Sequence, residues 1–368
     1  MAAERTGSLT GLRVLEFAAI GPVPYAAMLL ADFGADVVRV DRPDAKLSHP
    51  FGAFDRGRRS IALDLKSPGD METALRLMDR ADMVVEGFRP GVMERLGLGP
   101  EVALARNPRL VYGRMTGWGQ SGPLADKAGH DINYLALTGA LAAIGPKDGK
   151  PVPPLNLVAD FGGGSMFLIF GLLAAHIEAQ RSGKGQVVDA AMVDGASSLM
   201  SLFHWMGRAG AWTPRRGENL LDGGAPFYTT YECADGRHVA LGALEPEFWA
   251  EFRRLAGLSD PLFDRYMDRS NWAEIGQRLT DLFRTRTRDE WAALMQGSDA
   301  CLTPVLTLEE AASHPHMQAR GTLDEAAGMT QPAPAPRLSR TPGGIASGPA
   351  KPGAHTDEVL KDWGVKPA

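Results

Sequence analysis

The N-terminal segment of the chain alternates between the patterns of buried strands and of a helix. Residues 12–17 and 34–41 are rich in apolar and β-branched side chains, and residues 25–33 between them have a helical composition. A strand, a helix and a second strand within about thirty residues predict a right-handed crossover between parallel strands. This unit constrains the fold more than any other feature of the sequence.

The same alternation continues through the first half of the chain. The sequence predicts further strands at 60–64, 82–86, 110–114 and 187–190, a helix at 68–81 and another from 160 to about 180. Such alternation is typical of an α/β fold, here a Rossmann-like large domain with a parallel sheet. No GxGxxG motif follows the first strand, where the turn is Gly21-Pro22-Val23-Pro24, so the nicotinamide-binding fingerprint is absent there.

A smaller α+β domain is predicted farther along the chain. Residues 227–232 and 237–242 predict a hairpin, with helices near 247–257, 271–284 and 287–296. The predicted organisation is a large domain at 1–192, a linker at 193–226, a small domain at 227–310 and a return segment at 311–368, of which 318–368 rejoins the large domain. A linker of that length is uncommon inside one compact unit, so we expect it to cross to another domain or subunit.

Composition argues against several classes of function. The 368 residues carry a net charge of −5, which argues against nucleic acid or a membrane surface as a partner. Two distant cysteines, Cys233 and Cys301, predict neither a disulfide framework nor a metal site, and they suit a reducing compartment. The apolar run at 166–175 is short for a membrane span and predicts a buried helix. The sequence shows no secretory signal at its start, so we expect a cytoplasmic protein.

Two titratable side chains stand out, His130 and Asp160. His130 lies in the run GHDINY at 129–134, and Asp160 precedes a phenylalanine and three glycines that open an apolar helix. An imidazole titrates near neutrality, and desolvation raises the pKa of a carboxyl toward the same range. On opposite sides of one carbon, the two groups would move a proton from one face to the other.

Both residues also have structural interpretations. His130 is consistent with a buried histidine whose hydrogen bonds are satisfied, and Asp160 with the N-cap of the following helix. In the functional interpretation, free amides beside Asp160 stabilise an enolate oxygen, and the glycines leave room for a substrate. Asp131 is expected either to orient the imidazole or to cap a helix.

Cationic residues recur where predicted strands end. Arg42, Lys66, Arg89 and Arg95 follow three strands, at the sheet edge where open α/β sheets bind ligands. In a protein of negative net charge this pattern indicates a polyphosphate site, although each residue alone is typical of a solvated surface charge. Glu245 follows a strand of the small domain and is either an acid at a helix start or a partner for His130.

Together these segments resemble the α-methylacyl-CoA racemases, within the family III CoA-transferase superfamily. The resemblance covers nearly the whole chain. It rests on the runs GLRV at 11–14, LADFGADVVRVDRP at 30–43, LDLK at 63–66, RMTGWGQSGP at 114–123, GHDINY at 129–134, PLNLVAD at 154–160, GKGQVVD at 183–189, LDGGAPFY at 221–228 and DACLTPV at 299–305.

The resemblance implies an interlocked homodimer. Each active site would combine the large domain of one subunit with the small domain of the other. His130 and Asp160 would be the catalytic pair, with Glu245 of the partner subunit supporting His130. Coenzyme A would lie along Arg42, Leu63, Asp64, Leu65, Lys66, Arg89 and Arg95, and the remaining ligand-binding residues would be Gly129, Asp131, Ile132, Asn133 and Tyr134.

The implied activity is interconversion of (2R)- and (2S)-2-methylacyl-CoA thioesters. His130 would remove the α-proton of the S-epimer, and Asp160 in its acid form would protonate the resulting enolate on the other face. No metal or redox cofactor is expected, and coenzyme A enters as part of the substrate. The alternative is a family III CoA-transferase in which Asp160 is the nucleophile. A third hypothesis is a CoA-binding or assembly protein without catalysis.

Overall fold

The computed structural model describes residues 5–46 and 54–368 of the chain. The chain divides into two compact units. The first contains the residues up to Thr138 together with Leu155–Leu199 and His316–Ala368, and the second contains Gly139–Pro154 and Met200–Pro315. Residues 139–154, which lie between the two site segments in sequence, therefore belong to the second unit.

The first unit is built on a six-stranded parallel sheet. Its strands are β1 (Arg13–Phe17), β2 (Asp36–Asp41), β3 (Arg59–Ala62), β4 (Met83–Glu86), β5 (Val111–Thr116) and β6 (Val187–Ala191). The spatial order β3-β2-β1-β4-β5-β6 reverses between β1 and β4, and doubly wound sheets bind ligands outside the carboxyl ends of strands at such a point. The predicted Rossmann-like parallel sheet is confirmed.

Helices flank the strands in both units. In chain order the α-helices are α1 (Pro22–Asp32), α2 (Pro68–Met78), α3 (Val92–Arg95), α4 (Pro100–Arg106), α5 (Asp131–Thr138), α6 (Ala140–Ala143), α7 (Met166–Ser182), α8 (Met192–Leu199), α9 (Ser201–Arg208), α10 (Pro246–Ala256), α11 (Trp272–Phe283), α12 (Arg288–Met295), α13 (Leu308–Ser313), α14 (Pro315–Ala319) and α15 (Thr356–Asp362). Five of these helices begin at a proline, whose fixed φ suits a helix start. An N–H at that position would have no acceptor within the helix, so its absence from proline costs no helical hydrogen bond.

The apolar helix α7 is buried on one face. Leu168, Leu172 and two alanines of α7 are buried, and the leucines pack against Gly113 of β5. The opposite face leaves Phe170 73% and Ile177 50% exposed, so the prediction of a buried helix is wrong for that face. The helical stretch Leu157–Ser182 is long and apolar enough to cross a membrane. Core helices of soluble proteins share this length and composition, so these two properties do not identify a membrane span.

The second unit contains an antiparallel sheet of three strands. β7 (Tyr228–Glu232) and β8 (His238–Gly242) form the predicted hairpin, and β9 (Leu302–Pro304) pairs with β8. Aromatic side chains of α10, α11 and α12 fill its core, among them Trp249, Phe283 and Trp291. The predicted smaller α+β unit is therefore confirmed as a fold. Residues 193–226, predicted as a linker, contain most of α8 and all of α9.

The C-terminal segment returns to the first unit. It contains the hairpin of β10 (Leu323–Ala326) and β11 (Met329–Pro332) and, near its end, α15. Val359, Leu360 and Trp363 are buried in one cluster with Leu15 and Ile61 of the parallel sheet. The indole N–H of Trp363 also donates to Asp36 at 2.8 Å. The last residues of the chain thus complete the core begun by the first strands.

Candidate active site

His130 is anchored at the start of α5. Its backbone N–H donates to the side-chain Oδ1 of Asn133 at 3.1 Å, and its carbonyl accepts the N–H groups of Asn133 and Tyr134. The side chain itself is exposed. The backbone of His130 is therefore held by the first turn of the helix, while the imidazole is accessible to solvent and to a ligand.

A cavity of about 300 Å³ lies beside His130, at the carboxyl ends of β4 and β5. It is lined by residues 87–90, which follow β4, by residues 115–118, which end and follow β5, and by Gly129, His130 and Tyr134. The rings of Trp118 and Tyr134 pack edge to face at 4.7 Å between centroids. A Cβ at Gly117 would lie 2.2 Å from the Tyr134 ring, so glycine is required there for the cavity wall to close.

Asp160 lies on a nine-residue π-helix, Leu157–Ser165, that leads directly into α7. Its carboxylate is half-buried and accepts the side-chain amide of Asn156 at 3.2 Å. A Cβ added to Gly21, the residue before α1, would lie 3.6 Å from the same carboxylate oxygen. The sequence predicts a helix N-cap here, whereas Asp160 lies inside the π-helix, a form that is frequent at functional sites.

The glycines after Asp160 pack against α8. A Cβ on Gly163 would lie 2.6 Å from the backbone nitrogen of Ala196, and a Cβ on Gly195 would lie 1.8 Å from the carbonyl oxygen of Gly163. The backbones of the π-helix and of α8 therefore touch without intervening side chains. The expectation that these glycines leave room for a substrate is wrong for Gly163, because α8 occupies that space.

Asp131 is buried, with 7% of its surface exposed, and binds the π-helix. Its Oδ2 accepts the backbone N–H groups of Ala159 at 2.8 Å and of Asp160 at 2.9 Å. These two amides are therefore not free for an enolate oxygen, contrary to the expectation from sequence. Within the described residues, the carboxylate of Asp131 makes no hydrogen bond to the His130 imidazole and none to the backbone of α5.

The surroundings of Asp160 raise the pKa of its carboxyl above the ordinary range. Burial raises the pKa of Asp160, and the neighbouring charge of Asp131 raises it further, while the Asn156 hydrogen bond and the His130 imidazole lower it. His130 and Asp160 are thus electrostatically coupled. Burial and the charges of Asp160 and Asp131 raise the pKa of Tyr134 to about 12, so its hydroxyl stays protonated near neutral pH.

The cations expected from sequence all follow carboxyl ends of parallel strands. Arg42 is exposed after β2 and pairs with Asp44, and Lys66 is exposed after β3. Arg89, after β4, lines the same cavity as His130. Arg95 is the exposed last residue of α3 and does not line that cavity.

The other ligand-binding residues expected from sequence differ in exposure. Leu63 is buried in the core and Leu65 packs against it, whereas Asp64 is exposed and accepts the N–H of Lys66. In α5, Ile132 is 44% exposed and Tyr134 is buried. The structure also adds Lys127 and Trp118 to the lining of the cavity. Lys127 could have been found from the sequence, because it is a cation three residues before His130.

Glu245 lies in the second unit, exposed at the N-cap of α10 without a side-chain capping bond. Burial raises the pKa of the nearby Cys301 thiol, and the charges of Glu245 and Asp299 raise it further. Cys301 in turn lines an open cavity of about 810 Å³ within this unit, together with Asp222 and Tyr228. A carboxylate and a large open cavity are therefore neighbours in the second unit.

Comparison with known proteins identifies relatives over almost the full length of the chain. Residues 9–356 match the model of CoA-transferase family III. The chain is 47% identical to mouse alpha-methylacyl-CoA racemase, covering 97% of this chain and 93% of that protein, and 45% identical to the human racemase, covering 97% and 94%. The fold is similar to the crystal structure of a CAIB/BAIF family protein from Brucella suis, with a TM-score of 0.84, 26% identity and coverage of 97% and 100%.

Proposed function

Because the chain belongs to CoA-transferase family III, we propose that it is a racemase interconverting (2R)- and (2S)-2-methylacyl-CoA thioesters. The observation that carries the proposal is the link between His130 and Asp160: Asp131, the residue after His130, accepts the backbone N–H groups of Ala159 and Asp160. An exposed imidazole beside a cavity is coupled to a half-buried carboxyl whose pKa is raised. Proton transfer at one α-carbon requires one base and one acid of this kind.

The thioester carbonyl acidifies the α-hydrogen, and the residues move the proton. His130 takes the α-proton of the S-epimer, and Asp160 in its acid form returns a proton to the opposite face. In the reverse direction Asp160 is the base and His130 the acid. The raised pKa of Asp160 brings the carboxyl closer to the range in which it exchanges a proton at working pH.

Coenzyme A enters as part of the substrate, and we infer that it lies along the carboxyl edge of the sheet. Arg42, Lys66 and Arg89 follow β2, β3 and β4, and cations at that edge suit the phosphates of the nucleotide portion. Arg89 and His130 line the same cavity. This supports a coenzyme A that extends from its phosphates at Arg89 to its thioester at His130. No metal or redox cofactor is needed for this chemistry.

We further propose a homodimer in which Glu245 of the partner subunit supports His130. The exposed apolar side chains of α9, Leu202 at 52% and Trp205 at 71%, support an apolar interface, as does the exposed face of α7. Light scattering on the purified protein tests this assembly, since a monomer at micromolar concentration would contradict it.

The activity is tested with (2S)-2-methylacyl-CoA in D₂O, followed by chiral analysis and mass spectrometry. We expect α-deuterium together with the R-epimer, and His130→Ala and Asp160→Asn should each lower the rate of epimerisation about 10²–10⁴-fold. His176→Ala, on α7 and outside the cavity beside His130, is the control for loss of a histidine. Transfer of CoA to an added free acid without epimerisation would favour the transferase, and full activity of both variants would contradict the catalytic pair.

A further inference from the structure

We propose that Asp131 is a positioning residue that ties the backbone of Asp160 to the start of α5 and so sets the separation of the two catalytic groups. The inference rests on the proposed function, because it assigns Asp131 a role through Asp160. It differs from the ligand-binding role expected for Asp131 from sequence. It also concerns the buried carboxylate of Asp131, which has no part in the proton transfers described above.

The first step is the hydrogen bonding of the π-helix. In a π-helix each N–H bonds the carbonyl five residues earlier, so the amides of the first turn have no acceptor within the helix. Ala159 and Asp160 are the third and fourth residues of Leu157–Ser165 and fall in that turn. Asp131 supplies the acceptor for both through one oxygen, Oδ2. The conformation of the backbone that carries the Asp160 carboxylate therefore depends on a side chain from another element.

The second step is the cost of placing a carboxylate there. A buried carboxylate is strongly unfavourable unless its oxygens are hydrogen-bonded, and the second oxygen of Asp131 is buried with no partner in residues 5–46 and 54–368. In the described structure, the carboxylate of Asp131 therefore has only the hydrogen bonds from the N–H groups of Ala159 and Asp160. A displacement of the π-helix would break both at once, so the interaction resists movement of Asp160.

The third step is the adjacency of Asp131 to His130. The backbone of His130 is held independently, by Asn133 and by the first turn of α5. One peptide bond therefore separates the residue that carries the imidazole from the residue that fixes the backbone of the carboxylate. A shift of α5 moves both catalytic groups together, and their separation is preserved.

The test separates inversion from proton exchange. With Asp160 removed or misplaced, His130 still removes the α-proton of the S-epimer and returns a deuteron from D₂O to the same face, because its imidazole is exposed. Asp131→Ala and Asp160→Asn are therefore both expected to exchange the S-epimer with retention. The ratio of inversion to exchange should fall about 10²-fold in Asp131→Ala, the loss typical of a 1 Å misplacement.

Two further variants control for folding and for the acceptor. Asp131→Asn keeps one oxygen for the two amides and should retain inversion within about tenfold of the wild type. Asp131→Glu keeps the charge but moves the acceptor by one methylene, and should lose inversion while keeping exchange even if Asp131→Ala fails to fold. Thermal melting of each variant identifies those that fold.

The outcomes distinguish the inference from the proposed function. Wild-type inversion by Asp160→Asn would overturn both the catalytic role of Asp160 and the positioning role of Asp131. Loss of inversion in Asp160→Asn with wild-type inversion in Asp131→Glu would overturn the positioning role alone. A parallel loss of exchange and inversion in folded Asp131 variants would also overturn it, because a general structural role affects both steps equally.

Discussion

The contact between the π-helix and α8 makes Gly195→Ala an informative substitution. A Cβ at Gly195 would lie 1.8 Å from the carbonyl oxygen of Gly163, and side-chain carbons are essentially never found within 3.0 Å of such an atom. The two backbones must therefore separate by about 1.2 Å. Asp160 is carried by the same π-helix three residues before Gly163, so the separation also displaces the carboxylate that we propose to be catalytic.

The expected magnitudes follow from that displacement. Alanine stabilises a helix by about 1 kcal/mol relative to glycine. Overpacking costs about 1–3 kcal/mol, and an overlap with rigid backbone atoms belongs at the upper end. The net loss is therefore about 2 kcal/mol, which lowers the melting temperature by about 4–8 °C for a unit of this size. A displacement of about 1 Å at a catalytic group lowers kcat about 10²-fold.

Epimerisation kinetics and thermal melting measure the two effects. Gly276→Ala in α11 is the matched control, because a Cβ there would meet only the Cβ of Pro226, at an ordinary contact distance of 3.8 Å. We expect the control to keep the wild-type kcat and to melt at the same or a slightly higher temperature. A Gly195→Ala protein with wild-type kcat and melting temperature would refute the close packing of α8 on the π-helix and the argument built on it.

Three further substitutions test other interactions. Asn156→Ala removes a hydrogen bond that lowers the pKa of Asp160, so the acid limb of the kcat/KM profile for the R-epimer, which requires ionised Asp160, should move to higher pH. Arg58→Met leaves the buried Glu16 unpaired and should cost about 3–5 kcal/mol of unfolding free energy in urea denaturation near neutral pH. Burial raises the pKa of Glu16, so the folded state binds that proton more tightly and the loss should be smaller near pH 5 than near pH 8. Thr287→Ala removes the capping box of α12 and should cost about 1 kcal/mol, whereas an unchanged denaturation midpoint would contradict the cap.

The elements with strong local patterns could be predicted from the sequence. The strand expected at 187–190 is β6 at Val187–Ala191, and the hairpin expected at 227–242 is formed by β7 and β8. Apolar alternation and turn residues determine these elements locally, so little tertiary information is needed. The parallel order of the large sheet follows from the same alternation of strands and helices.

The geometry around Asp160 could not be predicted in this way. The π-helix depends on backbone contact between Gly163 and Gly195, which are separated by more than thirty residues in sequence. The bonds from Asp131 to the amides of Ala159 and Asp160 are also tertiary, since they join α5 to the π-helix. Local propensity describes Asp160 as a helix cap because the residues around it contain no signal of either contact.

The closure of the first core by α15 has a consequence for folding during synthesis. The second unit is complete once Pro315 has been made, whereas the first unit still lacks Val359, Leu360 and Trp363 at that point. Domains fold as units as they emerge during synthesis. The second unit can therefore reach its native state before the parallel sheet of the first unit does. Strands β1 to β5 therefore keep part of their apolar surface uncovered until residues 356–365 have been made.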